Sequence, residues 1–294
     1  MSGAATGLDH VGLCLIDPTP AWARYEALGF TLSPIARQSG RRTPDGPVEP
    51  YGTGNRCAFF REGYLEILGI LDASLFDNDV GRFVARHAGA HIIALAVAEE
   101  DAALARLRRA GVPIPGISHL ERPVDAPDGP RARFARLPLP DAPEGRIQLI
   151  RHLTPELVWQ ERWLSHANHV AALESVVLVS ATPAETAARF AVLAGVALEP
   201  DPAGGFVLPL PGDSGAPIGG PKQATRIRIL SPDSLPAVLP GVTAPALPFI
   251  AGVTLRTDDG NAAVASLVPG LRPIPGGLML APEDAFGMAL VFVP

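Results

Sequence analysis

The sequence predicts an α+β protein of four successive βαβββ units, arranged as two paired-unit domains of which the second is degenerate. Three observations carry this. Four segments open alike, with a short apolar strand, a polar break and an Ala/Leu-rich helix. Stretches punctuated by Pro and Gly follow each helix, and each set closes on a strong apolar strand. One strand, one helix and about three strands, repeated, favour antiparallel or mixed sheets carrying helices.

The first unit opens with LDHVGLCLID (residues 8–17), continues into PAWARYEALGF and closes with GYLEILGI (63–70). Asp17 before Pro18 reads as an N-cap with proline in the first turn. The second unit runs from AHIIALAVAE (90–99) through EDAALARLRRAGV to GRIQLIRH (145–152). TPELVWQERWLSH (154–166) predicts a helix that joins the two pairs, with a boundary near residue 160. The third unit is LESVVLVSAT (173–182), PAETAARFAVLAGV and TRIRILSP (225–232), with Thr182 as N-cap before Pro183. The fourth is FIAGVTLRTD (249–258), the shorter NAAVASLVPG and GMALVFVP (287–294). Each helix ends near Gly, the usual residue past a helix C-terminus. The expected organisation is a domain over 1–153, with units at about 7–70 and 88–152, a linker over 154–170 and a degenerate domain over 171–294.

Composition excludes several classes of function. Charged residues make up 18% of the 294, and the net charge of −6 gives no basic footprint for nucleic acid or an anionic membrane. No apolar run approaches the ~20 residues that span a bilayer. MSGAATGLDH lacks the basic and apolar regions of a signal peptide, so a cytoplasmic location is expected. Cys14 and Cys57 are too few for a disulfide framework, and no CxxC suggests structural zinc.

The strand LDHVGL, the segment GTGNRCAFF before GYLEILGI and the closing APEDAFGMALVFV resemble glyoxalase-like proteins of the vicinal-oxygen-chelate superfamily (glyoxalase, bleomycin resistance and extradiol dioxygenase). The resemblance is strongest over residues 7–152. It implies paired βαβββ modules cupped around a divalent metal, with ligands on the first and last strands of both modules. Mapped onto this chain, it implies His10 in LDHV, Glu66 in GYLEIL, His91 in GAHII and Gln148 in GRIQLI as metal ligands. The intervals agree: 66 − 10 is 56 and 148 − 91 is 57. Imidazole and carboxylate suit Zn, Mn, Fe, Co or Ni. In the second half Ser175 and Arg228 stand where His10 and Glu66 stand, so that pair reads as scaffold or pocket wall.

Strand alternation places Tyr64, Glu66 and Leu68 on one face, where a carboxylate needs a partner or a metal. Gln148 departs from the second glutamate of many family isomerases, and an amide is not a base near neutral pH. The base is then Glu66 itself, or a neighbouring histidine such as His119 or His152. Asn55 in GTGNRC is a candidate substrate or ligand-orienting contact, and Arg41 and Arg42 in RQSGRR are candidates to clamp an anionic substrate. The resemblance implies a metal-dependent isomerase or lyase acting on a small molecule through neighbouring oxygens. An extradiol-type ring-cleaving dioxygenase and a metal-free binding or resistance protein are the alternatives. A small-molecule substrate is the expected partner, with a homodimer left open as the assembly.

Overall fold

The structure, a computed structural model, describes residues 3–42, 46–126, 128–139, 142–217 and 223–294. The first half runs β1 (Ala5–Leu15), α1 (Thr19–Ala27), β2 (Ala36–Arg41), β3 (Val48–Phe59), β4 (Tyr64–Ile70), a short α2 (Val80–Val84), β5 (Gly89–Val97), α3 (Glu100–Arg109), β6 (Ser118–Pro123), β7 (Arg131–Leu139) and β8 (Arg146–His152). The second half runs β9 (Val170–Val179), α4 (Pro183–Ala194), β10 (Glu199–Pro200), β11 (Phe206–Leu210), β12 (Thr225–Leu230), β13 (Phe249–Thr257), α5 (Ala262–Leu267), β14 (Arg272–Ile274), β15 (Gly277–Leu280) and β16 (Ala289–Val293). Apart from α2, the order strand, helix, three strands recurs four times.

The helix in each unit lets first and last strands lie side by side in parallel: β1 with β4, β5 with β8, β9 with β12, β13 with β16. Within each half the two first strands pair antiparallel, β1 with β5 and β9 with β13. A bridge between Ile250 of β13 and Ala90 of β5 joins the halves into one continuous sheet of the 16 described strands.

Alternation sorts the side chains. Val11, Leu13 and Leu15 of β1, Leu65 and Ile67 of β4, and Ile147 and Leu149 of β8 enter the core on the helix-bearing face, against Trp22 and Tyr25 of α1. That core is shared, since Leu173, Val176, Ile227, Ile250 and Leu290 of the second half belong to the same cluster. The opposite face of each half forms a cup.

The sequence expects a helix over 154–166. The chain instead makes two 3-10 turns, Pro155–Leu157 and Glu161–Trp163, interrupted at Gln160, whose backbone is extended. The extended residue directs Val158 and Trp159 inward, so they plug one end of the first cup against Cys57, Phe59 and Tyr64. Val80 and Phe83 of α2 close the other end against Cys14, Leu68 and Ile92. The second cup is filled by its own chain: Leu235, Leu239 and Val242 pack on Val177, Phe249 and Val291. Its Ser175 bonds Thr254, and its Arg228 holds Asp201 with two hydrogen bonds of 2.7 Å, which leaves an apolar interior with no metal-ligand set among the described residues. Among the described residues, no helix is long and apolar enough to cross a membrane.

Candidate functional site

The floor of the first cup is read from strand register. One cross-strand row holds Tyr64 of β4, His10 of β1, Ala94 of β5 and Gln148 of β8. The next holds Glu66, Gly12, Ile92 and Arg146. His10, Glu66 and Gln148 are buried on this face.

His10 is fixed by its neighbour. A β-bulge between Leu8 and His10 turns Asp9 out of strict alternation. Asp9 is fully buried, and its carboxylate accepts from His10 Nδ1 at 2.5 Å and from His152 Nε2 at 2.9 Å. Burial pushes the Asp9 carboxyl up, but the charge and hydrogen bonds of His152 and His10 outweigh it and hold the group below its ordinary value. Asp9 is therefore an anion, and it keeps the proton of His10 on Nδ1. Tyr64 stacks on the ring at 4.5 Å, leaving Nε2 to face Glu66 Oε2 at 3.9 Å. Asn55 donates from Nδ2 to the other oxygen of Glu66.

Gly12 makes the space for this arrangement. A Cβ there would lie 2.9 Å from the Ile92 side chain and 3.1 Å from Glu66 Oε2. At the β8 side of the floor, Arg146 donates to the Asn78 carbonyl at 2.7 Å and lies over Phe83. Arg136 of β7 stands near Arg146, Tyr51 and Glu66, and burial, reinforced by Arg146, pulls its guanidinium down to about 10. Tyr51 is held protonated, chiefly by burial.

Several sequence expectations need correcting here. His91 does not join His10 and Glu66. The pseudo-twofold relation places Val11 against Ile93, so the residue equivalent to His10 is Ile92, while Glu66 and Gln148 do correspond. The intervals of 56 and 57 differ by one residue, and a one-residue step reverses the face of a strand. His91 lies in the bulge opposite Gly12–Leu13, stacked between Phe83 and His87, with Nε2 on the His87 carbonyl at 2.9 Å. Burial lowers its pKa to about 4. His119 is exposed and pairs with Ala135, whose side chain is turned away from the cup, so His119 is no candidate base there. Arg41 is exposed and bonds the Gly46 carbonyl of its own hairpin, and Arg42 lies exposed over Phe76. These two form no clamp on the cup. Arg136 and Arg146 do face it, as does Arg122 at the plugged end, on strands whose sequence pattern does not advertise them. His152 lies inside the cup, at the plugged end.

The four-ligand metal site implied by the resemblance does not fit these residues. Ile92 occupies the place of the second histidine. Among the described residues, no group of three His, Cys, Asp or Glu side chains could hold a metal ion. What remains is one imidazole, one carboxylate already bonded by Asn55 and one amide, in a field that Arg136 and Arg146 make less favourable to a cation.

Comparison with known proteins agrees with the topology. No curated protein sequence matches the chain significantly. A hypothetical protein from Staphylococcus aureus superposes with a TM-score of 0.61 at 13% identity, covering 98% of this chain and 99% of that one. A xylose isomerase-like TIM barrel/4-hydroxyphenylpyruvate dioxygenase fusion protein gives 0.56 at 12% identity over 99% of this chain, which spans about half (49%) of the fusion. A 4-hydroxymandelate synthase variant from Streptomyces coelicolor gives 0.52 at 14% identity, covering 98% and 92%. Likeness at this identity establishes the vicinal-oxygen-chelate fold and no activity. The glyoxalase-like domain family matches residues 8–194, well over half of the chain, and the protein belongs to that family.

Proposed function

We propose that the first cup binds a small oxygenated molecule and moves a proton on it, with His10 as proton acceptor and donor. The observation that carries this is the Asp9–His10 contact of 2.5 Å, which fixes the imidazole proton on Nδ1 and presents Nε2 to Glu66 across a 3.9 Å gap. A histidine held in one tautomer by a buried carboxylate is a competent general base. In the step, Nε2 takes a proton from the carbon beside a carbonyl, the C–H pair forms a carbon–carbon double bond, and the C=O π pair moves onto the carbonyl oxygen. The resulting enolate accepts from the Gln148 amide, and the proton returns to the same or a neighbouring carbon. That is isomerase chemistry on a substrate with neighbouring oxygens; the outcome is that of a lyase where the enolate instead expels a leaving group, with its bonding pair, from the next carbon. No step is routed through a metal, because the donor set does not fit one. An extradiol-type reaction, which rests on two histidines and a carboxylate around one ion, meets the same shortage.

The test is solvent-deuterium exchange, followed by NMR, at the carbon beside the carbonyl of small 2-oxo and 3-oxo acids. Exchange by the wild type, reduced at least a hundredfold in His10→Asn, supports the reading. If no compound exchanges while some still raise the melting temperature, the cup is a binding site and the catalytic reading falls. Elemental analysis of untagged protein should find metal far below one per chain. A stoichiometric divalent ion lost in both His10→Asn and Glu66→Gln would restore the metal-dependent reading.

A further inference from the structure

We infer that Arg136 and Arg146 form an anion subsite at the β8 side of the first cup, taking a carboxylate or phosphate group of the ligand whose neighbouring carbon lies against His10. This deepens the proton-transfer reading and rests on it for the identity of the cup as a small-molecule site.

The starting point is a guanidinium without a counterion. Arg136 Nε is closed off from solvent and has no hydrogen-bond partner, and among the described residues no carboxylate lies within ion-pair reach of Arg136 or Arg146. Two other partly enclosed arginines have carboxylate partners: Arg189 holds the buried Glu144, and Arg228 holds the buried Asp201. A buried charge left unpaired is costly, and a second cation beside it raises the cost. Arg146 is that second cation. It is held by the Asn78 carbonyl at 2.7 Å and by the Phe83 ring, which leaves the rest of its planar fork free to donate. Arg136 stands opposite Ile150, four residues along β8 from Arg146, and its guanidinium shares the same field; two such groups can divide between them the two or three oxygens of a carboxylate or phosphate.

The charges around the pair point the same way. Glu66 is the carboxylate that shares their field, and Asn55 already bonds one of its oxygens. Tyr51, kept protonated by its burial, adds a hydroxyl donor near both arginines. Gln148 Oε1, two residues along the same strand from Arg146, is buried without a partner and is an acceptor for a hydroxyl beside the ligand's anion rather than for the anion itself. The row from Glu66 to Arg146 crosses three strand spacings, roughly 14 Å, and both ends of the cup are plugged. The ligand proposed is therefore a compact acid, with its anion on the arginines and its reacting carbon toward His10.

The experiment measures thermal melts of the full chain, titrated with lactate, inorganic phosphate and neutral propane-1,2-diol at constant ionic strength. Wild type, Arg136→Met, Arg146→Met and His10→Asn are compared. One or both anions should raise the wild-type melting temperature and the diol should not, and the more effective anion identifies the source of the charge. Arg136→Met should melt higher than wild type without anion, since it removes an uncompensated buried charge, while the half-saturating anion concentration rises tenfold or more. Arg146→Met should weaken the response similarly. His10→Asn should keep the anion response while losing proton exchange; absence of exchange in the wild type, with its anion response intact, would sink the catalytic reading and leave this subsite standing. Equal stabilisation of wild type and Arg136→Met, or no stabilisation by either anion beyond matched sodium chloride, overturns the proposal.

Discussion

At Asp9 and Gly12, single atoms decide the chemistry of the cup. Asp9 is buried and serves two imidazoles at once, so Asp9→Asn leaves a neutral oxygen and an amide N–H where two N–H donors converge. Breaking a buried pair from one side costs about 3–5 kcal/mol, and the variant should lose a comparable amount in urea titrations. Proton exchange should fall with it, because nothing then fixes the tautomer of His10. The pH dependence has a definite sign. The Asp9 carboxyl is held below its ordinary value in the folded chain, so its stabilising contribution is complete above the unfolded value of 3.8 and is lost only as pH falls below that value, through its lowered folded pKa. At Gly12 the issue is space. The added methyl of Gly12→Ala would press on Ile92 and on Glu66 Oε2, at 2.9 and 3.1 Å. Overpacking of this kind costs about 1–3 kcal/mol. The test separates stability from function: Gly12→Ala should unfold at lower urea than wild type and also lose exchange activity at temperatures where it is still folded. Unchanged activity there would show that the room beside Glu66 is not needed.

At the scale of an element, bulges and plugs govern what was legible. The repeat of strands and helices can be read from the sequence because the apolar periods of β1, β4, β5 and β8 are strong. The face of an individual residue cannot, because β1 and β5 both carry bulges, at Asp9 and at His91, that break simple alternation. Counting from LDHV to GAHII therefore matched His91 to His10, whereas the structural counterpart of His91 is Asp9. The same offset explains why Asp9 was not among the site residues the sequence offered. It also makes a prediction about β5. Buried His91 has its pKa lowered to about 4, so it stays neutral while the unfolded chain takes up a proton near 6.5. Stability is intact above 6.5 and falls progressively as pH drops towards 4, by about 3 kcal/mol at most. His91→Phe keeps the stack on Phe83 and His87 and should flatten that part of the stability–pH curve, read as urea midpoints between pH 7 and 4. An unchanged slope would place the titration elsewhere. The segment after β8 yields a second test. Trp159 donates to the Phe60 carbonyl and packs on Phe59 and Tyr64, so Trp159→Ala should cost about 3–5 kcal/mol. It should also unlock the Cys57 thiol, which lies under the plug, to a disulfide reagent, while Cys14 under α2 stays slow.

Across the whole molecule, the two halves have divided their roles but not their core. The second cup is packed with its own apolar segment and supplies no metal-ligand set among the described residues, yet its strands complete the cluster that supports β1 and β4 from behind. Polar contacts cross the same boundary. The Leu8 backbone N–H donates to Thr225 Oγ1 at 3.0 Å, one residue from the bulge that aims Asp9. Asp213 N–H donates to the Thr6 carbonyl at 2.8 Å, and Arg106 of α3 reaches the carbonyls that end α4. The sequence reading of two domains joined by a linker rests on repeat periodicity, which marks units but carries no information about which faces they share. A fragment ending at residue 170 would expose Leu8, Val11 and Leu13 where the second half now covers the cluster, and would leave the Leu8 N–H without its partner. Each fully buried Leu or Val contributes about 1.5–3 kcal/mol relative to exposure, and a handful of them exceeds the 5–15 kcal/mol by which a domain is stable at all. Residues 1–170 expressed alone should therefore lack a cooperative melt, and the intact chain should unfold in one transition, with tryptophan fluorescence from the first half and far-UV dichroism from both halves moving together. Adding residues 171–294 as a separate chain should restore the melt if the shared core is what is missing. Two separate transitions, with an independently folded first half that keeps its deuterium exchange, would show instead that the second half is a dispensable appendage.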